Sequence, residues 1–168
     1  MTAKDIDKHL INHYQTAKYC VSNIYCFHSY YKETDFLIIN NNGYVYDFEI
    51  KVSISDFKAD FKKTHKHNIL QNGYFQVPYE YSGKYEVNKP IYTNDRPNRF
   101  YYCIPETLQS KIELLLPEYA GLIIVTEFGE VKKIKEGKLL HKEKQMEKLE
   151  IRLCRKFYYS YLAQKEKP

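Results

Sequence analysis

Residues near position 50 combine a carboxylate and an ammonium group on one face of a predicted strand. Residues 44–53 predict a β-strand, and because side chains alternate along a strand, Glu49 and Lys51 point to the same face. The opposite face is apolar and carries Tyr44, Tyr46, Phe48, Ile50 and Val52. Buried strands rarely carry such charges unless the charges are paired or bind a metal ion. This segment is therefore the first candidate for a chemical role.

A second carboxylate, Asp35, is placed to join this pair. Residues 35–40 predict another strand, and residues 41–43 (Asn-Asn-Gly) are typical of a β-hairpin turn. Antiparallel pairing across this turn can bring the Asp35 carboxylate beside Glu49. Two carboxylates a few ångström apart form a hard-oxygen site of the kind that Mg²⁺ prefers. A neighbouring lysine could then contact a phosphate or accept a proton from a water molecule on the metal.

The acid-x-Lys spacing carries little information by itself, because it occurs five times in the chain. Asp56-x-Lys58 and Asp60-x-Lys62 fall in a predicted helix, where residues i and i+2 point apart. Among the five, Glu49-x-Lys51 combines a strand, a facing acid on the hairpin partner and an apolar reverse face. From the residues alone, Glu49 and Lys51 could equally form an ion pair on a solvated sheet face.

An amphipathic helix is predicted directly after this strand. Ser55 is a suitable N-cap for residues 55–70, in which Phe57, Phe61 and Ile69 can face a core. Four polar residues form one stripe along this helix: Asp56, Asp60, Lys63 and His67. The stripe fits a solvated face held by i,i+4 pairs and equally a role beside a metal or a phosphate.

The remaining segments complete a pattern of alternating strands and helices. Predicted helices cover residues 3–16, 107–116 and 138–163, and predicted strands cover residues 19–27, 99–105, 121–126 and 130–134. Residues 72–98 contain five tyrosines and predict a long loop or an inserted hairpin. Those tyrosines could stack on unpaired bases or pack the loop itself. The order of elements predicts an α/β or α+β sheet with helices on its faces.

Composition limits the class of protein. A chain of 168 residues predicts one domain, and 18 tyrosines with 9 phenylalanines are too many for a disordered chain. The net charge is +5, and residues 131–168 carry 12 basic and 5 acidic side chains. This basic C-terminal segment, with the lysine-rich predicted helix 138–163, favours a polyanionic partner. No apolar run is long enough for a membrane span, and we expect a cytoplasmic protein.

Asp35, the segment Glu49-Ile50-Lys51 and the helix after it resemble the core of the PD-(D/E)XK nuclease superfamily, which has a restriction-endonuclease-like fold. The similarity is greatest to a bacterial and phage branch with the pattern E-I-K-x-S-x-x-D-F-x-x-D-x-K-K, which residues 49–63 match. Two later segments of that branch also recur, RFYYCIP at residues 99–105 and AGLIIV at residues 120–125. The resemblance covers roughly residues 33–135. Thr34 stands where the proline that names the motif would be, a replacement that is common in the superfamily.

Together with the length of the chain, the resemblance implies one α/β domain over residues 1–168, with a restriction-endonuclease-like mixed central sheet flanked by helices. It implies that Asp35 and Glu49 bind Mg²⁺ or Mn²⁺ together with the backbone carbonyl of Ile50, and that Lys51 is the catalytic lysine. We expect DNA contacts from four polar side chains: Ser53, Lys63, Arg99 and Lys142. Further acids that could assist at the site are Glu33, Asp7, Asp56 and Asp60.

The function predicted is a DNA nuclease of repair, recombination or phage DNA processing, in the cytoplasm of a bacterium or a phage-infected cell. The alternative is a non-catalytic nucleic-acid-binding module that uses the same fold as a scaffold. The nuclease needs Asp35, Glu49 and Lys51 together, and the chain has all three. Neither function needs a membrane, and both allow an oligomer.

Overall fold

The computed structural model describes residues 1–27, 33–76, 90–144 and 146–165 of the chain. They form an α/β fold with a mixed six-stranded sheet and helices on both faces, which confirms the predicted α/β class. The elements in chain order are α1 (Ala3–His13), β1 (Tyr19–Tyr25), β2 (Glu33–Ile39), β3 (Val45–Ile50), α2 (Ile54–Asp60), α3 (Thr64–Asn72), β4 (Tyr74–Gln76), β5 (Pro90–Tyr92), β6 (Arg99–Pro105), α4 (Gln109–Ile112), β7 (Ala120–Val125), β8 (Val131–Lys135) and α5 (Met146–Lys165). Short 3₁₀ turns flank α4 at Glu106–Leu108 and Glu113–Leu115.

The order of strands in the main sheet is β1-β2-β3-β6-β7-β8. β1, β2 and β3 form an antiparallel meander, β6 is parallel to both β3 and β7, and β8 returns antiparallel to β7. β3 is therefore a central strand, and its last residue, Ile50, is in register with Cys103 of β6. Ligands in such sheets bind beyond the carboxyl ends of the parallel strands.

Two apolar clusters hold the layers together. The first lies under α2, α3 and α5 and includes Phe57, Ile69 and Leu153. The second lies under α1 and includes Ile6 and Leu10. The alternate apolar residues of β3 belong mainly to the second cluster, so the charged residues of β3 point toward α2 and α3.

The helix predicted over residues 55–70 is two helices. At residues 61–63, three consecutive N–H groups donate to carbonyls three residues back, which tightens the chain and ends α2. In one continuous helix, Asp60 and Lys66 would point about 120° apart. The break allows both side chains to be buried against the sheet.

The helix predicted over residues 138–163 begins later, at Met146. Buried Asn98 and Arg96 need hydrogen-bond acceptors, and they donate to the carbonyls of residues 140, 141 and 143. These bonds fix the segment before α5 in a non-helical form, so Lys138, Lys142 and Lys144 are not part of the helix. None of the helices within the described ranges combines the length and apolar character that a bilayer span requires.

The flanks of the tyrosine-rich segment pair with each other. β4 and β5 form a two-stranded antiparallel sheet with Tyr74 in register with Tyr92. This agrees with an inserted hairpin, one of the two predictions for residues 72–98. Residues 77–89, with Tyr79, Tyr81 and Tyr85, lie outside the described residues.

Candidate active site

Asp35 lies where β2 and β3 separate. The last residues that pair across these strands are Phe36 and Phe48, and the same register would next set Asp35 opposite Glu49. At this point the Asp35 carboxylate accepts a hydrogen bond from the backbone N–H of Ile50 at 2.8 Å. The hairpin thus brings Asp35 beside the carboxyl end of β3, as the Asn-Gly turn predicts.

A cleft of about 410 Å³ opens at this fork. Asp35, Ile50 and Lys51 line it from the strand ends. Residues of α1, β1 and α2 complete the lining: Ala3, Lys4, Asp7, Asn23 and Asp56. Three carboxylates and two ammonium groups therefore surround one opening, the mixture of charges expected where a polar ligand binds.

Glu49 lies behind the cleft, with 6% of its surface exposed, and three lysines bind its carboxylate. Oε1 accepts hydrogen bonds from Lys51 Nζ at 2.9 Å and Lys63 Nζ at 3.0 Å. Oε2 accepts from Lys66 Nζ at 2.5 Å. Burial favours the neutral carboxyl, but the charges of Lys66 and Lys51 hold the pKa of Glu49 below its usual value. Glu49 is therefore ionised at neutral pH.

Asp60 is a second buried anion beside Glu49. Its side chain is fully buried, and Oδ2 accepts a hydrogen bond from the Tyr102 hydroxyl at 2.8 Å. Lys63 Nζ lies 2.5 Å from Oδ1, and Lys66 Nζ lies 3.5 Å from Oδ2. Burial opposes ionisation of Asp60, but hydrogen bonds from His67 and Lys63 and the charge of Lys66 hold its pKa well below its usual range. We call the following residues the buried charge cluster: Glu49, Lys51, Asp60, Lys63 and Lys66.

The buried charge cluster corrects two alternatives that the sequence left open. Glu49 and Lys51 do form an ion pair, but each is only 6% exposed, so they do not lie on a solvated sheet face. Asp60 does not lie on a solvated helix face, because α2 presents it to the sheet. Asp56, one turn earlier, has a 46% exposed side chain and lies 3.4 Å from Lys51 Nζ.

Asp35 is held differently from the two buried anions. Its hydrogen-bond donor is a backbone N–H, and burial together with the nearby charge of Glu49 raises the pKa of Asp35 to about 6. The folded protein therefore binds this proton more tightly than the unfolded chain does, whose value is near 3.8. As a result, ionised Asp35 lowers the stability of the fold progressively as the pH rises from about 4 to 6.

We expect Asp35→Asn to raise the free energy of unfolding by roughly 1–2 kcal/mol at pH 8, because the amide can accept the Ile50 hydrogen bond without the buried charge. This gain in the free energy of unfolding should shrink between pH 6 and pH 4. It should vanish below pH 4, where Asp35 of the wild type is protonated in both the folded and the unfolded protein. Urea unfolding of both proteins across this range measures the effect. A loss of stability at pH 8 would contradict it.

Two residues predicted to contact DNA have structural partners near the cleft. Ser53 is the N-cap of α2, in place of the predicted Ser55, because its hydroxyl accepts a hydrogen bond from the Asp56 N–H at 3.1 Å. Lys63 belongs to the buried charge cluster and is only partly exposed. The structure brings both residues close to Lys51.

The structure does not bring the other predicted contact residues to the cleft. Arg99 is in register with Tyr46, at the opposite end of β3 from Ile50, and donates to the carbonyl of Gly137. Lys142 is exposed in the non-helical segment before α5. Glu33, a predicted accessory acid, is exposed at the start of β2 and lines a neighbouring groove.

Two residues at the site are not predicted from the sequence, Lys66 and Tyr102. Lys66 belongs to the buried charge cluster, and the Tyr102 hydroxyl donates to Asp60 of that cluster. Lys66 is 3% exposed, and its ammonium lies 4.7 Å from the centre of the Phe100 ring. A signal was present, since Lys66 stands three and four residues before the buried Ile69 and Leu70 and thus on the apolar side of α3. Tyr102 lies within an apolar strand, and nothing in the sequence singles it out.

A magnesium site at the fork would have few protein ligands. Within the described ranges, no group of three or more His, Cys, Asp or Glu side chains could enclose a metal ion. Mg²⁺ usually keeps several waters and binds through one or two carboxylates together with substrate phosphates, so a larger cage is not required. Asp35, half-buried next to another anion, is the group whose charge a cation would compensate.

No family model matches this chain, and no curated protein matches it. A solved structure of a protein of unknown function from Silicibacter pomeroyi is similar to it with a TM-score of 0.60 and 15% sequence identity. The similarity covers 98% of this chain and 88% of that protein. At this identity the likeness concerns the fold alone, and it shows that a similar α/β arrangement occurs in another protein.

Proposed function

We propose that this protein is a divalent-metal-dependent nuclease that hydrolyses phosphodiester bonds in DNA, on a restriction-endonuclease-like version of the α/β fold. One observation carries the proposal: Asp35 meets the Glu49–Lys51 segment at the fork of β2 and β3, where Asp35 and Lys51 line a cleft. The sequence pattern of residues 49–63 supports the same function.

Each residue has a role that follows from its surroundings. The carboxylates of Asp35 and Glu49 and the carbonyl of Ile50 would hold Mg²⁺ or Mn²⁺. When bound, the metal supplies positive charge that polarises the scissile phosphate and makes water more acidic. Lys51 Nζ lies 2.9 Å from Glu49 Oε1. It would orient an attacking water and offset charge that develops on the phosphate. Lys63 and Lys66 keep Glu49 ionised and fixed in position.

A specific observation favours a second candidate, a nucleic-acid-binding module without catalysis. Both oxygens of Glu49 already accept hydrogen bonds from lysines, so this carboxylate is satisfied without a metal ion. In that case the fold would serve as a scaffold that binds DNA through its basic surfaces. The two functions differ in cleavage and in the response to Mg²⁺.

The purified protein should be incubated with linear duplex, circular duplex, branched and single-stranded DNA, with EDTA, Mg²⁺ or Mn²⁺. If the protein is a nuclease, at least one form of DNA should be cleaved, and this cleavage should depend on the metal and be lost in Asp35→Asn. Binding of DNA without cleavage of any form under any of these conditions would favour the non-catalytic module.

We expect millimolar Mg²⁺ to raise the unfolding temperature of the wild-type protein, because a ligand that binds only the folded state stabilises it. Asp35→Asn and Glu49→Gln keep the shape of the side chains and remove the charges, so their unfolding temperatures should not respond to Mg²⁺. Differential scanning calorimetry at increasing Mg²⁺ concentration measures this. An equal response of all three proteins would place the metal elsewhere.

A further inference from the structure

A second groove, of about 470 Å³, runs between α5 and the edge strand β1. Arg152, Arg155 and Lys156 of α5 line it, and Glu33 supplies the one acidic side chain among its lining residues. The groove therefore presents an excess of positive charge, and its basic residues belong to the C-terminal segment 131–168, which carries a net charge of +7. Such a surface is complementary to a chain of phosphates.

Two tyrosines add aromatic surface to this groove. Tyr25 of β1 is 66% exposed and Tyr159 of α5 is 65% exposed, and both line the groove. Exposed aromatic rings next to cationic side chains are the combination that binds unpaired nucleic acid, with bases on the rings and phosphates on the cations. Bases in a duplex are stacked on each other and offer no free face to a tyrosine.

Asn23 connects the groove with the cleft of the candidate active site, because it lines both. Its backbone is left-handed (φ 54°), and the strand pairs on either side of it leave Asn23 next to Asp35. Lys156 Nζ donates to the Asn23 carbonyl at 2.9 Å and ties α5 to this corner. A polymer in the groove would therefore be directed to Asp35.

We propose that this groove binds an unpaired DNA strand and leads it into the cleft at Asp35 and Lys51. The proposal rests on the proposed function, in that it takes the bound strand as the substrate. Arg152 and Arg155 contact phosphates, and Tyr25 and Tyr159 each stack on a base. It assigns single-stranded or locally unpaired DNA as the substrate class.

The stacking is tested by fluorescence anisotropy in EDTA with a labelled 15-nucleotide DNA strand of mixed sequence and its duplex. Tyr25→Ala and Tyr159→Ala should each weaken single-strand binding roughly 5- to 100-fold. Duplex binding should change less than about threefold, because a paired base cannot stack on the ring. Tyr161→Ala is the matched control, since Tyr161 lies on the same helix with 55% exposure and does not line the groove.

The phosphate contacts are tested by the salt dependence of the same binding. Arg152→Gln combined with Arg155→Gln should reduce the slope of log affinity against log salt by about 1.4, since each contact with a single strand contributes about 0.7. Lys132→Gln combined with Lys133→Gln removes the same charge from β8, at the other edge of the sheet, and should leave the slope in place.

The proposal that the groove binds unpaired DNA would be contradicted by equal losses of affinity in the control and groove variants, or by unchanged single-strand binding in Tyr159→Ala. Tighter binding of an RNA strand of the same sequence, or a dimer that buries this face, would also contradict it. Because binding is measured in EDTA, these outcomes are independent of cleavage. If the groove variants bind DNA normally and cleavage still depends on the metal, the groove is not the DNA-binding site, but the proposal of a nuclease stands. If binding depends on the groove residues and no DNA is cleaved, the protein is not a nuclease, but the groove remains a binding site for single-stranded DNA.

Discussion

Lys51→Met is expected to lower the turnover of DNA cleavage by roughly 10²–10⁴, while binding of DNA and of the metal persists. Lys51 lines the cleft with Asp35, and its ammonium is bonded to Glu49. In the proposed reaction the ammonium acts on the water and the phosphate and is not a metal ligand. Methionine keeps an unbranched side chain as far as the Cε position and removes the ammonium group. Single-turnover cleavage, with DNA binding in Ca²⁺ measured separately, resolves the two effects.

The variant must be assayed well below its unfolding temperature, because Lys51 is part of the buried charge cluster. Glu49 keeps Lys63 and Lys66 as partners, so we expect the loss of stability to stay near 1–3 kcal/mol. Lys66→Met is a useful comparison. It removes an ammonium group that binds the same Glu49 carboxylate, but Lys66 does not line the cleft. Lys66→Met should therefore lower the free energy of unfolding and have little effect on the turnover of the folded protein. Equal cleavage by wild type and Lys51→Met would refute the catalytic role.

The position of Asp35, Glu49 and Lys51 could be predicted from the sequence because it depends on two local rules. Alternation along β3 sets Glu49 and Lys51 on one face, and the Asn-Gly turn sets the register that carries Asp35 toward them. Both rules operate within about 20 residues of chain and need no knowledge of the remaining sheet.

The burial of the charges could not be predicted in the same way, because it depends on contacts between distant segments. Asp60 is covered only because α2 ends at residue 60 and Tyr102, 42 residues later, donates to it. The start of α5 depends on Asn98, which binds carbonyls more than 40 residues away. A periodicity analysis treats a lysine or an aspartate as solvent-facing, and Lys66 and Asp60 violate that assumption.

Glu49 belongs both to the candidate site and to the buried charge cluster, and this gives the cluster a second consequence. Lys66 fixes the charge and the position of Glu49 from the side away from the cleft, and Asp60 lies 3.5 Å from the same Lys66 ammonium. A change in the cluster is therefore expected to affect folding first and, through Glu49, the response to Mg²⁺.

Asp60→Asn is expected to lower the free energy of unfolding by roughly 3–5 kcal/mol at pH 7, which is a fall of roughly 10 °C in unfolding temperature. Removing this anion leaves Lys51, Lys63 and Lys66 around the single, buried carboxylate of Glu49. Urea and thermal unfolding measure the loss.

Asp56→Asn is the matched control, because it makes the same change of charge one turn earlier on α2 at a side chain that is 46% exposed. Exposed pairs contribute at most about 1 kcal/mol, so its effect should be several-fold smaller.

Since the pKa of Asp60 is lowered on folding, the contribution of Asp60 to the free energy of unfolding is complete above the unfolded pKa near 3.8 and is lost as the pH falls below that value. The stability gap between wild type and Asp60→Asn should therefore narrow below pH 4, whereas the gain in Asp35→Asn already disappears between pH 6 and 4. Equal effects of the Asp56 and Asp60 substitutions, or a gap that stays constant with pH, would show that the cluster does not bury an ionised Asp60.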